Sequence, residues 1–187
     1  MINPYTLPDD LPAPVDDGAA DHLPGAQLPA GLALEATDGA AVELAALAGR
    51  TVVYAYPWTG RPGEPLLVDG WDLIPGARGC TPETCGFRDH HGELREAGAE
   101  AVYGLSTQAS DYQGELAARL GLPFAILSDA DLALTRALAL PTFEAAGETL
   151  IRRLTLLLDA GRVERVWYPV FPPDRHASEV LEWLRAN

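Results

Sequence analysis

The chain has 187 residues, 48% of them hydrophobic and 21% charged, as in one globular domain long enough to bury a core. A formal net charge of −14 argues against DNA, RNA or an anionic membrane as main partner, and the lack of any lysine excludes a lysine Schiff base. No apolar run approaches the roughly 20 residues of a membrane span, and the acidic, proline-rich MINPYTLPDDLPAPVDD is the opposite of a signal peptide, so a cytoplasmic protein without a structural disulfide is expected.

In chain order, residues 1–26 show no periodicity and read as an extended N-terminal arm, with a single domain over 27–187. LALEATDGAAVELAAL reads as a β-hairpin around Asp38-Gly39. TVVYAYP (51–57) is a buried strand stopped by Pro57. The Gly- and Pro-rich stretch 58–79 is a long loop, a kind that is usually functional. A helix is expected from Pro82 to Ala97, with Thr81 as N-cap and Gly98 as stop. A second buried strand (101–107), an amphipathic helix ending at Gly121, a third strand in FAILSD and a short helix near 131–139 follow. TLIRRLTLLLD and RVERVWYPV flank Asp159-Ala160-Gly161 as a hairpin, and a helix over 177–186 closes the chain. This order predicts an α/β sandwich with a mixed sheet and no second domain.

Both cysteines of the chain stand in GCTPETCGFRD, at Cys80 and Cys85. The loop delivers Cys80 to a helix N-terminus, where free amides and the helix dipole favour a thiolate, and Arg78 adds positive charge two residues earlier. Arg88 stands further along the same helix. Cys80 therefore reads as a nucleophile of lowered pKa. Cys85 lies in the same helix, and a five-residue step separates the two Cα atoms by roughly 8.7 Å. A disulfide wants about 4.4–6.8 Å, so the pair can bond only if the first turns unwind. Two inert buried thiols are the structural alternative. A zinc site with His90 and His91 fits poorly, because adjacent histidines on a helix point about 100° apart.

The motif G-C-T-x-x-x-C-G-F-R-D, followed by HHGELREAG and AEAVYGLSTQ, resembles the peroxiredoxin family, and within it the bacterioferritin-comigratory or Q-type branch. The resemblance covers residues 27–187; IRRLTLLLDAGRVERVW also resembles the family's late hairpin and FAILSDAD its strand before a variable helix. It implies a thioredoxin-like α/β fold, a central mixed sheet flanked by helices with an N-terminal β-hairpin, and thiol peroxidase activity without metal or organic cofactor. By resemblance Cys80 is the peroxidatic cysteine, Cys85 the resolving one, Arg153 rather than Arg152 the active-site arginine, and Pro57 the proline that opens the active-site loop. The family places a threonine three residues before the cysteine. Here that position is Ala77, and the loop carries an insertion; Thr59 is expected to supply the hydroxyl, the alternative being that it is lost.

The implied cycle has Cys80 attack a hydroperoxide to give a sulfenic acid, Cys85 close an intramolecular disulfide, and thioredoxin or a similar dithiol restore both thiols. A monomer suffices, since the resolving sulfur needs no second subunit. Two other functions fit the residues less well: a thiol-disulfide oxidoreductase, which normally uses C-x-x-C, and a non-enzymatic redox sensor or binding protein whose output is the unwound helix. Glu83 reads as an aid to the helix start, Trp58, Trp71 and Trp167 as packing or a pocket wall, and Ser106-Thr107-Gln108 as turn chemistry.

Overall fold

The computed structural model describes residues 7, 8 and 10–187; the first residues of the expected N-terminal arm, 1–6 and 9, lie outside the described residues. The strands are β1 (Leu34–Ala36), β2 (Ala41–Val42), β3 (Arg50–Ala55), β4 (Ala99–Ser106), β5 (Ile126–Ser128), β6 (Thr142–Ala145), β7 (Glu148–Ile151), β8 (Leu154–Asp159) and β9 (Arg162–Trp167). The helices are α1 (Cys80–Asp89), α2 (His91–Glu96), α3 (Ser110–Leu120), α4 (Ala133–Leu138) and α5 (His176–Ala186).

Seven strands form one mixed sheet in the order β2-β1-β5-β4-β3-β8-β9. β3, β4 and β5 run parallel at its centre, while β8, β9 and the β1–β2 hairpin pair antiparallel at the sides. The period of two along β3 sorts its side chains onto two faces. Val53 and Ala55 join Leu154, Leu156 and Leu158 of β8 under Leu23, Leu28, Leu44 and α4. Val52 and Tyr54 join the opposite core, with Phe87, Leu94, Leu116, Val180 and Leu184 of α1, α2, α3 and α5. Of the segment read as an arm, Ala20 and Leu23 are buried.

Three expectations change. The helix begins at Cys80, two residues earlier than expected, and Thr81 is not its cap. Gly79 takes the N-cap position at φ 109°, and proline at the third helical position is tolerated because first-turn amides have no partner within the helix. The helix is also broken: His90 leaves helical geometry at φ −92°, ψ 4°, its ring held between Glu93 (3.0 Å) and Ser178 (3.1 Å), so α1 and α2 are separate. Finally, TLIRRLTLLLD is not one strand. β7 pairs with β6 in a separate two-stranded sheet, and Arg152 and Arg153 form the crossing into β8. The β6–β7 turn holds Ala146 (φ 53°) and Gly147 (φ 79°), and an alanine in the left-handed region hides the usual turn signal.

Candidate active site

Parallel strands deliver their ends to one edge of the sheet, and there the site forms. β3 leads into Tyr56 and Pro57, both buried, and the Pro57 carbonyl accepts a hydrogen bond from Ser106 Oγ at the end of β4 (3.4 Å). The chain then crosses the long loop and returns at Gly79. A Cβ on Gly79 would lie 2.4 Å from Pro173 Cγ, so close packing as well as the positive φ requires glycine before the helix.

Cys80 opens α1 and is 3% exposed. Arg153 Nη2 donates to its sulfur at 3.1 Å and lies 3.3 Å from the carbonyl oxygens of Gly76, Ala77 and Arg78. The other arm of the guanidinium, Nη1, donates to the Glu83 carboxylate, and both side chains are buried. One cation thus holds the thiol, the last residues of the loop and the first turn of α1. Arg153, and not Arg152, makes these contacts; Arg152 Nε donates to the Thr142 carbonyl instead.

The electrostatics correct one expectation. Burial pushes the Cys80 thiol up from its ordinary value, and the Glu83 charge adds to this. The Arg153 charge and hydrogen bond and the Trp58 backbone N–H pull it back without reversing the direction. Near-complete burial of the sulfur brings a desolvation that opposes the thiolate a helix start favours. Arg78, expected to add charge here, pairs with Asp72 at 3.3 Å. Burial also raises the Glu83 carboxyl, against the opposing pull of Arg153. For Arg153, burial favours loss of the proton, but the nearby Cys80 and Glu83 charges outweigh it and the guanidinium is raised further.

Cys85 is half-buried in α1 and both thiols are free. Burial raises Cys85 too, while the Arg88 charge lowers it. Arg88 donates to Asp89 and to the Leu120 carbonyl. Every residue from Cys80 to Cys85 is helical, so the sulfurs are held apart until the helix end opens.

Thr59 is buried and lines the same cavity as Cys80. Its hydroxyl donates to Gln108 Oε1 (3.1 Å), its amide donates to the same oxygen (2.9 Å), and Gln108 Nε2 donates to its carbonyl (3.0 Å). Gln113 Nε2 reaches Gln108 Oε1 at 3.3 Å, and Tyr56 Oη donates to Gln113 Oε1 at 2.8 Å. With its proton committed to Gln108, the Thr59 hydroxyl retains lone pairs for another donor. Ala77, where the family's threonine would stand, contributes its carbonyl to Arg153.

Glu83, Gln108 and Gln113 were missed as site residues. Glu83 had a signal: three residues after Cys80 it falls on the same helix face one turn on. Gln108 follows the end of β4, beside β3 in a parallel sheet whose strand ends converge. The rival zinc ligands have other partners: His90 as above, and His91, whose ring centroid lies 5.7 Å from that of Phe124. Among the described residues no group of three or more His, Cys, Asp or Glu is placed to hold a metal.

Residues 20–182 match the Redoxin family model. The chain is 32% identical over 155 residues to Peroxiredoxin Q, chloroplastic, of Sedum lineare, covering 82% of this chain and 73% of the relative. It is 31% identical over 155 residues to Peroxiredoxin Bcp of Escherichia coli, covering 80% and 88%. It spans only 61% of the length of Peroxiredoxin Q, chloroplastic, of rice, at 32% identity. Among solved structures, Peroxidoxin BcpB from Mycobacterium tuberculosis superposes with a TM-score of 0.68 at 26% identity, over 88% of this chain and 97% of the other. Xanthomonas campestris Peroxiredoxin Q gives 0.67 at 29%, over 86% and 96%. The expected thioredoxin-like α/β fold is therefore the fold found, and the chain belongs to the Redoxin family, among the peroxiredoxins of the Q and Bcp type.

Proposed function

We propose that this protein reduces hydroperoxides at Cys80, with Cys85 as resolving thiol. The observation that carries the reading is Arg153 Nη2, 3.1 Å from a sulfur that borders an open cavity. The Cys80 thiolate attacks one peroxide oxygen, the O–O bond breaks, and the departing oxygen takes a proton to leave as water or alcohol. Sulfur is oxidised to a sulfenic acid and the peroxide is reduced. Arg153 and the Trp58 amide stabilise the charge as it moves, and Thr59, with Gln108 behind it, accepts the proton end of the peroxide. Helix α1 then opens at its start. Cys85 attacks the sulfenic sulfur, water leaves, and a disulfide forms. An external dithiol, for which we propose thioredoxin, returns both sulfurs to thiols by exchange.

We further propose a monomer, since both sulfurs lie in one helix, and a cytoplasmic location, where two free thiols stay reduced. The charge of −14 disfavours nucleic acid and anionic membrane, and among the described residues no helix is long and apolar enough to cross a membrane. The raised Cys80 thiol favours one second reading, a redox sensor that oxidises slowly and is not recycled. The deciding assay follows peroxide consumption with thioredoxin, thioredoxin reductase and NADPH, beside Cys80→Ser and Cys85→Ser. Sustained turnover lost in Cys80→Ser supports the peroxidase, whereas a single oxidation without turnover supports the sensor.

A further inference from the structure

The long loop encloses a cavity of about 470 Å³ that ends at Gly79, Cys80 and Thr81. Its walls are largely apolar and include Trp58, Leu66, Leu67, Trp71 and Pro82. The volume is that of a site for a small organic molecule. Two cations line it, and they differ in what they hold. Arg78 is buried and pairs with Asp72 at 3.3 Å. Arg61 is half-buried, with its guanidinium 4.2 Å from the centre of the Tyr112 ring on α3. Its Nε is buried without a hydrogen-bond partner among the described residues.

A buried N–H left unpaired costs free energy, and an incoming acceptor oxygen recovers it. Nε and the adjacent Nη form a two-pronged edge that matches a carboxylate. The loop that carries Arg61 is fixed on both sides. Trp58 packs 5.7 Å from the same Tyr112 ring, and Trp71 lies 6.2 Å from Phe143 of β6. The cation is thus held in place before any ligand arrives, which limits the ordering cost of binding. Glu64, the acidic residue of the lining, is exposed, so water screens its charge. The net charge of −14 repels anions at long range and disfavours a dianion such as a phosphate monoester. One cation with an unspent donor among apolar walls fits a single negative charge on an apolar body.

We infer that this cavity binds an amphipathic monocarboxylate, with its carboxylate on Arg61 and its apolar body between Trp58, Leu67 and Trp71, where it covers the approach to Cys80. Binding does not depend on the peroxidase reading. Its consequence, competition with hydroperoxide for the cavity, does rest on that reading.

The test uses octanoate and its neutral amide, octanamide, which share one apolar body. Dissociation constants are read from the Trp58 and Trp71 indole resonances in wild type and in Arg61→Gln. Wild type is expected to hold octanoate at least about tenfold more tightly than octanamide, the scale of a charge-assisted hydrogen bond. In Arg61→Gln the two should bind equally, with octanamide held as in wild type, which shows the variant cavity intact. Equal binding of both by wild type, indole resonances that respond to neither, or a preference that survives in Arg61→Gln overturns the inference. Saturating octanoate should also slow alkylation of Cys80 by iodoacetamide at fixed pH and raise the apparent KM for hydrogen peroxide. Alkylation at the ligand-free rate shows Cys80 uncovered and overturns the placement of the apolar body. If octanoate binds through Arg61 and shields Cys80 but no peroxide is consumed, the site stands and only the peroxidase reading fails.

Discussion

Arg153 Nη2 lies 3.1 Å from Cys80 Sγ across 73 residues of sequence, and the same guanidinium is paired with Glu83. The cation is therefore shared between a nucleophile and a buried carboxylate, and it also braces the carbonyls of residues 76–78. Opening α1 must release at least part of this clamp.

Arg153→Met removes the clamp. It leaves Glu83 buried without its cation, which costs about 3–5 kcal/mol of stability. Peroxidase kcat/KM is expected to fall at least about a hundredfold, as when an oriented transition-state donor is lost. Urea denaturation and steady-state assays check both. A variant as stable and active as wild type would contradict the shared-cation description.

Glu83→Gln tests the electrostatics in the other direction. The Glu83 charge raises the Cys80 thiol, so its removal lets Arg153 act on the sulfur alone. The Cys80 titration, followed by thiolate absorbance, is expected to shift to lower pH than in wild type. An upward shift would show that Glu83 acts mainly by orienting Arg153.

The raised Cys80 value also has a linkage consequence. A group whose pKa rises on folding contributes stability that is intact below its unfolded pKa and lost as pH rises through the folded value. Wild type is thus expected to lose stability relative to Cys80→Ser in the alkaline range, above the ordinary thiol pKa. Urea midpoints for the two proteins across that range measure the difference, which should be flat near neutrality.

Gln108→Leu leaves the Thr59 hydroxyl and amide without their shared acceptor. A buried donor left unpaired costs about 1–3 kcal/mol. If Thr59 positions peroxide, KM rises while Cys80 alkylation by a small reagent at fixed pH stays near the wild-type rate. Equal losses in both rates would reduce Gln108 to a packing role.

In Cys85→Ser the sulfenic acid on Cys80 has no partner. One equivalent of peroxide should leave a dimedone-reactive Cys80 in the variant and an intramolecular disulfide in wild type. Only wild type should lose helical circular dichroism on oxidation, because only there must residues 80–85 unwind to bring the sulfurs within bonding distance.

The local patterns of the chain determined much of this. β-branched and aromatic runs marked β3 and β4, glycine marked the end of α3, and the five-residue cysteine spacing required an unwinding step, because each depends on near neighbours and helix geometry. Tertiary structure alone decided the rest. The split at Arg152-Arg153 arises because β6 captures β7, a pairing that leaves no periodic trace across Ala146-Gly147. The direction of the Cys80 shift depends on desolvation and on Glu83, and the sequence position shows only the helix end. Thr59 finds Gln108 49 residues away because parallel strands end side by side. Charge, burial and long-range pairing are properties of the assembled sheet edge, so they become legible only once the sheet has formed.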